Sequence, residues 1–265
     1  MRLSTLCLAT FLAVGAVGIA HATPNLVQNG DFSQTSPTPA NPTQIGPDYT
    51  AGQFVTGWTG NGYAIWYPSA TAAVSGCGHT QYHSGAGGDC STLNVVGTPV
   101  PGSGSFVALD GVSGSLQGSI SQLLSGLTVG STYTVSFYWG TTQETQASSK
   151  VQSHDQYLQV SLGGATPQTT NTVLTDWNTF NGWYLTTMNF TADSSSALLD
   201  FLSIGLPADG PPMILLTGVT LTQNVPEPPE LAMFGGGLLG LGLLILFARR
   251  REMRRRAADG GSSIV

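Results

Sequence analysis

The sequence predicts an all-β, antiparallel β-sandwich, flanked by an N-terminal signal peptide and a single C-terminal transmembrane helix. Three observations carry this reading. Short runs rich in β-branched and aromatic residues are separated by Gly, Pro and Asn turns. Several of these runs alternate apolar and polar residues with a period of two. Two uncharged and largely apolar stretches, residues 6–20 and 231–248, lie near the two ends of the chain.

The charge distribution follows the same division. Only 8% of the 265 residues are charged, against ~25% in an ordinary soluble domain. With 41% hydrophobic residues the chain has too much apolar surface for general disorder. A sequence pI of about 4.9 excludes the basic face of a nucleic-acid binder. Residues 23–224 hold one basic residue, Lys150, and ten acidic ones, a balance of 1 − 10 = −9. The remaining positive charge lies at the chain ends.

Residues 1–22 read as a secretory signal peptide. Arg2 supplies the positive start, Leu6 to Ala20 the apolar stretch, and Ala20-His21-Ala22 a small-residue cleavage site. This implies the Sec export machinery as a partner. At the other end, residues 225–230 form a proline-rich acidic spacer. Leu231 to Ala248 follow without a charge, long enough to span a bilayer. Arg249, Arg250, Arg251, Arg254, Arg255 and Arg256 then act as a stop and should stay cytoplasmic, which leaves residues 23–230 outside. A tail, 257–265, completes the chain.

The order Pro226-Glu227-Pro228, Gly/Leu-rich span, Arg cluster resembles a PEP-CTERM sorting signal over residues 225–256. The resemblance implies recognition by an exosortase, a membrane cysteine protease thought to cut near the tripeptide and release or transfer the protein to the surface of exopolysaccharide-producing bacteria. Pro226, Pro228 and Pro229 fix φ and remove backbone donors, which keeps the spacer extended. Glu227 offers the tripeptide's one charged side chain.

Residues 23–224 are long enough for one large β domain. Strands are expected at 25–28, 53–58, 63–67, 105–110, 119–124, 132–139, 156–162, 182–191, 196–204 and 213–223. In Thr132 to Tyr138, residues Tyr133, Val135 and Phe137 share one face; in Tyr157 to Leu162, Leu158, Val160 and Leu162 do. Burial of one face only is the expectation for such an antiparallel sheet.

The motif order adds a second resemblance. Asn25-Leu-Val-Gln-Asn-Gly-Asp-Phe32, Gly57-Trp58, Gly118-Ser-Ile-Ser-Gln122, Gly130-Ser-Thr-Tyr133 and the closing Gly218-Val-Thr-Leu221 are similar to galactose-binding-like jelly rolls found in carbohydrate-binding modules. Such domains often tie first strand to last through calcium. Here Ser33 follows Phe32 and Thr217 stands near the usual Asp, so Asp31 alone does not make a carboxylate-rich site and no metal or other cofactor is expected.

Cys7 falls in the signal peptide. Cys77 and Cys90 remain, and in an oxidising compartment they are expected to form a disulfide, worth about 3 kcal/mol for a loop of this size. The alternative is a zinc site from Cys77, His79, His83 and Cys90, although this spacing matches no common zinc pattern.

Trp58, Tyr63, Trp66 and Tyr67 are the candidate glycan-binding residues, since flat rings beside small polar residues can stack on sugars. Core packing is the competing reading, because aromatics with a polar tip also fill sandwiches. Trp177, Trp183 and Tyr184 form a smaller second group. No G-x-S-x-G elbow is present, and His154-Asp155 reads as a pair in a solvated polar run. The expectation is an exported, non-enzymatic surface or matrix protein, held in the inner membrane before processing, with extracellular polysaccharide as candidate partner and no nucleic acid. The alternatives are a secreted glycan-active enzyme and an uncleaved single-pass membrane protein.

Overall fold

The structure, a computed structural model, describes residues 23–36, 42–45, 55–75, 93–95, 99–114, 117–145, 152–208, 212–224 and 230–259. The chain divides into two units, Thr23–Asn224 and the terminal segments. The first contains β1 (Thr43–Gln44), β2 (Thr59–Asn61), β3 (Ala64–Tyr67), helix α1 (Ala70–Ser75), β4 (Phe106–Asp110), β5 (Ser119–Ser125), β6 (Thr132–Gln143), β7 (His154–Leu162), β8 (Gln168–Thr169), β9 (Val173–Thr175), β10 (Tyr184–Thr191), β11 (Ser196–Leu206) and β12 (Pro212–Gln223). The second contributes α2 (Glu230–Asp259).

Two antiparallel sheets form the sandwich. The first has the order β1-β3-β4-β12-β6-β10, and the second β2-β5-β11-β7-β8, with β9 also paired to β7. The chain changes sheet between β1 and β2, β2 and β3, β4 and β5, β5 and β6, β6 and β7, β9 and β10, β10 and β11, and β11 and β12. That repeated crossing is jelly-roll winding. Period-two side chains make the core. Tyr133, Val135, Phe137 and Trp139 from β6 meet Leu158, Val160 and Leu162 from β7 and Leu199 and Phe201 from β11. The Phe137 and Phe201 rings meet edge-on, centroids 5.1 Å apart, a favoured aromatic geometry.

The expectation of one buried face fails for part of the first sheet. β3 and β4 are buried along their whole length, and β12 through its first half. A second apolar cluster lies on that outer face: Tyr63, Ile65, Tyr67, Phe106, Ala108, Met213 and Leu215, with Ala73, Leu93 and Val95 over them. α1 supplies part of this cover. Its entry is capped by the Ser69 hydroxyl, which accepts from the Ala72 amide at 3.2 Å.

The segment 25–34 was expected to begin with a strand. Instead it is an irregular strap held by side chains on both sheets. The Leu26 amide donates to the Leu221 carbonyl at 2.9 Å, and Asn25 Oδ1 accepts from the Leu221 amide at 2.9 Å. These fasten it to β12. On the other side Gln122 of β5, 4% exposed, accepts from the Gln28 amide at 2.8 Å and donates to the Gln28 carbonyl at 2.9 Å and the Gly57 carbonyl at 3.1 Å. Gly30 is required where the strap crosses β12, because a Cβ there would lie 1.9 Å from the Val219 carbonyl oxygen. Gly218, with φ +63°, forms the β12 bulge at that crossing, where register shifts between Thr217 and Thr220.

Other expectations need correction. The strand expected at 53–58 is, among the described residues, a bridge at Val55 to Thr35 followed by a turn. The polar run after Trp139 is not solvated loop at its start: Thr141, Thr142 and Gln143 continue β6 and are buried. His154 opens β7 fully buried while Asp155 is exposed, since adjacent strand residues point to opposite faces.

Among the described residues no helix is long and apolar enough to cross a membrane. The side chains of 231–239, the first half of the expected span, lie outside the described residues. Within α2, Leu241, Leu243, Leu244, Ile245, Leu246 and Phe247 are exposed, followed by exposed Arg249, Arg250, Arg251, Arg254 and Arg255. The signal peptide 1–22, Pro226, Glu227, Pro228, Cys77, His79, His83, Cys90 and the side chain of Arg256 lie outside the described residues.

Gln122→Ala removes three hydrogen bonds at a site closed to water. It should lower unfolding free energy by about 3 kcal/mol, given ~1–3 kcal/mol for each buried group left unpaired. Urea denaturation checks this; a loss below half that size would mean that the strap is held elsewhere.

Candidate functional site

The aromatic platform expected at Trp58, Tyr63, Trp66 and Tyr67 does not form. All four rings are buried, with relative exposures of 1%, 2%, 3% and 0%. Period-two geometry divides them as read from the sequence: Trp66 beside Ala64 enters the inter-sheet core, while Tyr63, Ile65 and Tyr67 enter the outer cluster. Both faces are covered, so neither presents a ring to a ligand.

The polar tips of the two tryptophans serve the strap. Trp58 Nε1 donates to the Gln28 and Asn29 carbonyls at 3.1 and 3.0 Å. Trp66 Nε1 donates to the Phe32 carbonyl at 2.8 Å. Phe32 has φ +56°, a costly conformation for a bulky residue, and that bond helps hold it. Tyr67 stacks on Phe106 with centroids 5.1 Å apart.

The second aromatic group is partly core as well. Trp183 meets Phe106 and Phe180 edge-on at 5.8 and 5.7 Å, and Tyr184, 37% exposed, leans on Trp139. Thr217, near the place where a calcium ligand was considered, donates instead to the Ser105 carbonyl at 2.8 Å.

One end of the sandwich carries buried polar side chains. Gln143 Nε2 donates to the Gln152 and Thr175 carbonyls, Gln156 Nε2 to the Thr142 carbonyl, and Thr175 Oγ1 to Thr141 Oγ1. Asp110, on the outer face of β4, is 2% exposed. Burial raises its carboxyl to about 7, against the Val112 amide that favours the charged form, and the Glu144 charge raises it further. Such a value suits a general acid, but a catalytic carboxyl must reach its substrate, and this one is enclosed.

The outer face of the second sheet is different. Ser119 and Ser121 on β5, Tyr157, Gln159 and Ser161 on β7, and Asp200 and Leu202 on β11 alternate with core residues and so point away from the core. Register places Asp200 directly between Ser121 and Ser161, and Leu202 between Ser119 and Gln159. Thr59 and Asn61 of β2 extend these rows. No hydrogen bond within the described residues engages the side chains of Ser121, Tyr157, Gln159, Ser161 or Asp200. Desolvation raises the Asp200 carboxyl to about 6. Sequence alternation marked this face, because Leu158, Val160 and Leu162 point the other way. It gave no signal that this outer face is covered unevenly, with Ser119 and Ser121 buried and Tyr157, Gln159, Ser161, Asp200 and Leu202 half-buried.

No known protein-family model matches the chain, and no curated protein does. Among solved structures, TmCBM61 in complex with beta-1,4-galactotriose is similar at 14% identity and TM-score 0.39, over 76% of this chain and 100% of that one. The structure described as "CBM4 structure and function" matches at 17% and 0.36, over 74% and 99%. An arabinose-bound MgGH51 a-L-arabinofuranosidase matches at 14% and 0.41, over 75% of this chain and only 26% of that one. The sandwich assignment rests on this chain's own strand pairing.

Between the ordinary carboxylate range and about pH 7, folded Asp110 keeps a proton that the unfolded chain has released. Stability should therefore fall as pH rises from about 4 to 7. Asp110→Asn, which keeps the acceptor for Val112, should flatten that slope and raise the melting temperature at pH 8 above that of the parent. Parallel melting curves for parent and variant from pH 4 to 8 would contradict this.

Proposed function

We propose that the chain is an exported, non-enzymatic surface protein, sorted by an exosortase through a PEP-CTERM signal, whose β-sandwich contacts extracellular polysaccharide. The observation that carries this is the separation of charge along the chain. A segment with one lysine and ten acids is followed by a proline-rich Pro-Glu-Pro spacer, eighteen uncharged residues and six arginines.

Each part has a physical task in this reading. The arginines hold the helix end in the cytoplasm. The apolar side chains exposed along α2 suit hydrocarbon better than water. Proline at 226 and 228 favours the extended backbone in which a protease would bind Glu227 as a strand. Cleavage there frees the acidic sandwich. In an oxidising compartment Cys77 and Cys90 would pair as a disulfide.

Mass measurement of the surface and medium fractions tests the sorting. In cells with an active exosortase the mature form should begin at Thr23 and end near Pro226. A mature form that keeps residues 231–248 would overturn processing and leave the single-pass alternative.

A further inference from the structure

We propose that residues 93–95 are a pH-dependent latch on the outer face of the first sheet. They lie closed while Asp110 keeps its proton, and lift when Asp110 and Glu144 are both ionised. The device is built from two enclosed carboxyls, the anchor that one of them occupies, and the apolar face beneath.

Register brings the two carboxyls to one end of that face. Asp110 of β4 stands opposite Met213 of β12, and Met213 stands opposite Thr142 of β6. Glu144 comes two residues after Thr142 and so takes the same side. Asp110 is 2% exposed and Glu144 5%. Burying one carboxylate is costly, and a second of like sign nearby adds to that cost. No cation offsets it, since the described part of residues 23–224 contains no Lys or Arg.

The end of β6 is also where the cover is fastened. Glu144 forms an antiparallel bridge with Leu93. Thr142 Oγ1 lies 2.9 Å from the Asn94 carbonyl and 2.9 Å from the Thr179 carbonyl, and can donate to either. The Leu93 amide donates to the Ala73 carbonyl at 3.0 Å. Leu93 and Val95 pack into one cluster with Tyr63, Tyr67 and Phe106. A short segment with few fastenings opens locally at lower free energy than the strands beneath it. Lifting it admits water to both carboxyls and uncovers the stacked Tyr67–Phe106 pair.

Linkage sets the direction. Burial holds the Asp110 carboxyl up at about 7, and the Glu144 charge adds to this. Between the ordinary carboxylate range and that value, the closed form keeps a proton that the opened form releases. Opening therefore grows easier as pH rises to about 7 and levels above it. Among the described residues the other titratable groups on this face are Tyr63 and Tyr67 of β3. β12 brings Met213 and Leu215, α1 Ala73, and residues 180–183 Phe180 and Trp183, none of which titrates. His154 alternates with the core residues of β7 and so lies between the sheets, on the other side of the first sheet.

The test is hydrogen exchange of the Leu93 amide in the full-length chain in detergent, followed across pH and corrected for intrinsic exchange. The central amides of β6 and β11 report global unfolding in the same samples. Leu93 should exchange through an opening of lower free energy than theirs. Its opened fraction should rise up to about tenfold per pH unit below about 7, as release of one proton requires. In Asp110→Asn the opened fraction should not change with pH. In Glu144→Gln the rise should end at lower pH, because the charge that helps to raise Asp110 is gone. Asp155→Asn, an exposed carboxyl on β7, should behave as the parent does. Leu93 exchanging only together with the β6 and β11 amides would overturn the latch. A local opening that ignores pH, or that keeps its pH dependence in Asp110→Asn, would overturn the role of the carboxyls. If Asp110→Asn does not fold, as judged by circular dichroism, Glu144→Gln carries the comparison, and an unchanged pH range there would overturn it equally.

Discussion

The sandwich depends on a strap that belongs to neither sheet. Residues 25–32 have little backbone pairing of their own, yet they reach β12 through Asn25 and Leu26 and β5 through Gln122. A jelly roll held only by side-chain packing has an open side where its sheets part. Here a few buried hydrogen bonds close that side, and the low effective dielectric of the interior makes each costly to lose. The tryptophans that looked most like a sugar platform are drawn into the same device. Trp58 covers the strap carbonyls, with its ring 5.1 Å from Phe32 and 6.4 Å from Phe201.

That use of aromatics explains why the open face has a different character. The first sheet hides much of its outer surface under α1 and the segment around Leu93, so its rings act in packing. The second sheet keeps an outer surface that mixes Tyr157, Gln159, Ser161, Asp155 and Asp200 with the exposed Leu123, Leu198 and Leu206. A surface kept in solution by charge would carry many Lys and Glu side chains. This one instead mixes uncharged polar side chains with leucines and two carboxylates.

Much of the architecture was legible in the residues. The long strands were placed within a few positions because their alternation is strict: Tyr133, Val135 and Phe137 could only form one face. The order of the glycine-containing motifs also pointed to the jelly roll, and the strap shows why they occur together: Gly30 and Gly218 allow the crossing, and Gly57 and Gln122 meet in one hydrogen bond. The short strands β1, β2, β8 and β9 were missed, since two or three residues hold no periodicity. His154 was misread because local polarity does not reveal that β7 begins there and turns its first side chain inward. The candidate site was the least legible part. Alternation shows that Trp66 and Tyr67 face opposite ways, but not that both sides are covered. Whether an outer face stays open depends on distant loops.

Native-state hydrogen exchange of the amides of Leu26, Gln28, Val219 and Leu221 tests the strap most directly. These amides donate to the Leu221 carbonyl, Gln122, the Gly30 carbonyl and Asn25. If the strap closes the sandwich, they exchange only with global unfolding, at the same free energy as the central amides of β6 and β11. Exchange through a lower-energy opening, while β6 and β11 stay protected, would make the strap an appendage and contradict the account.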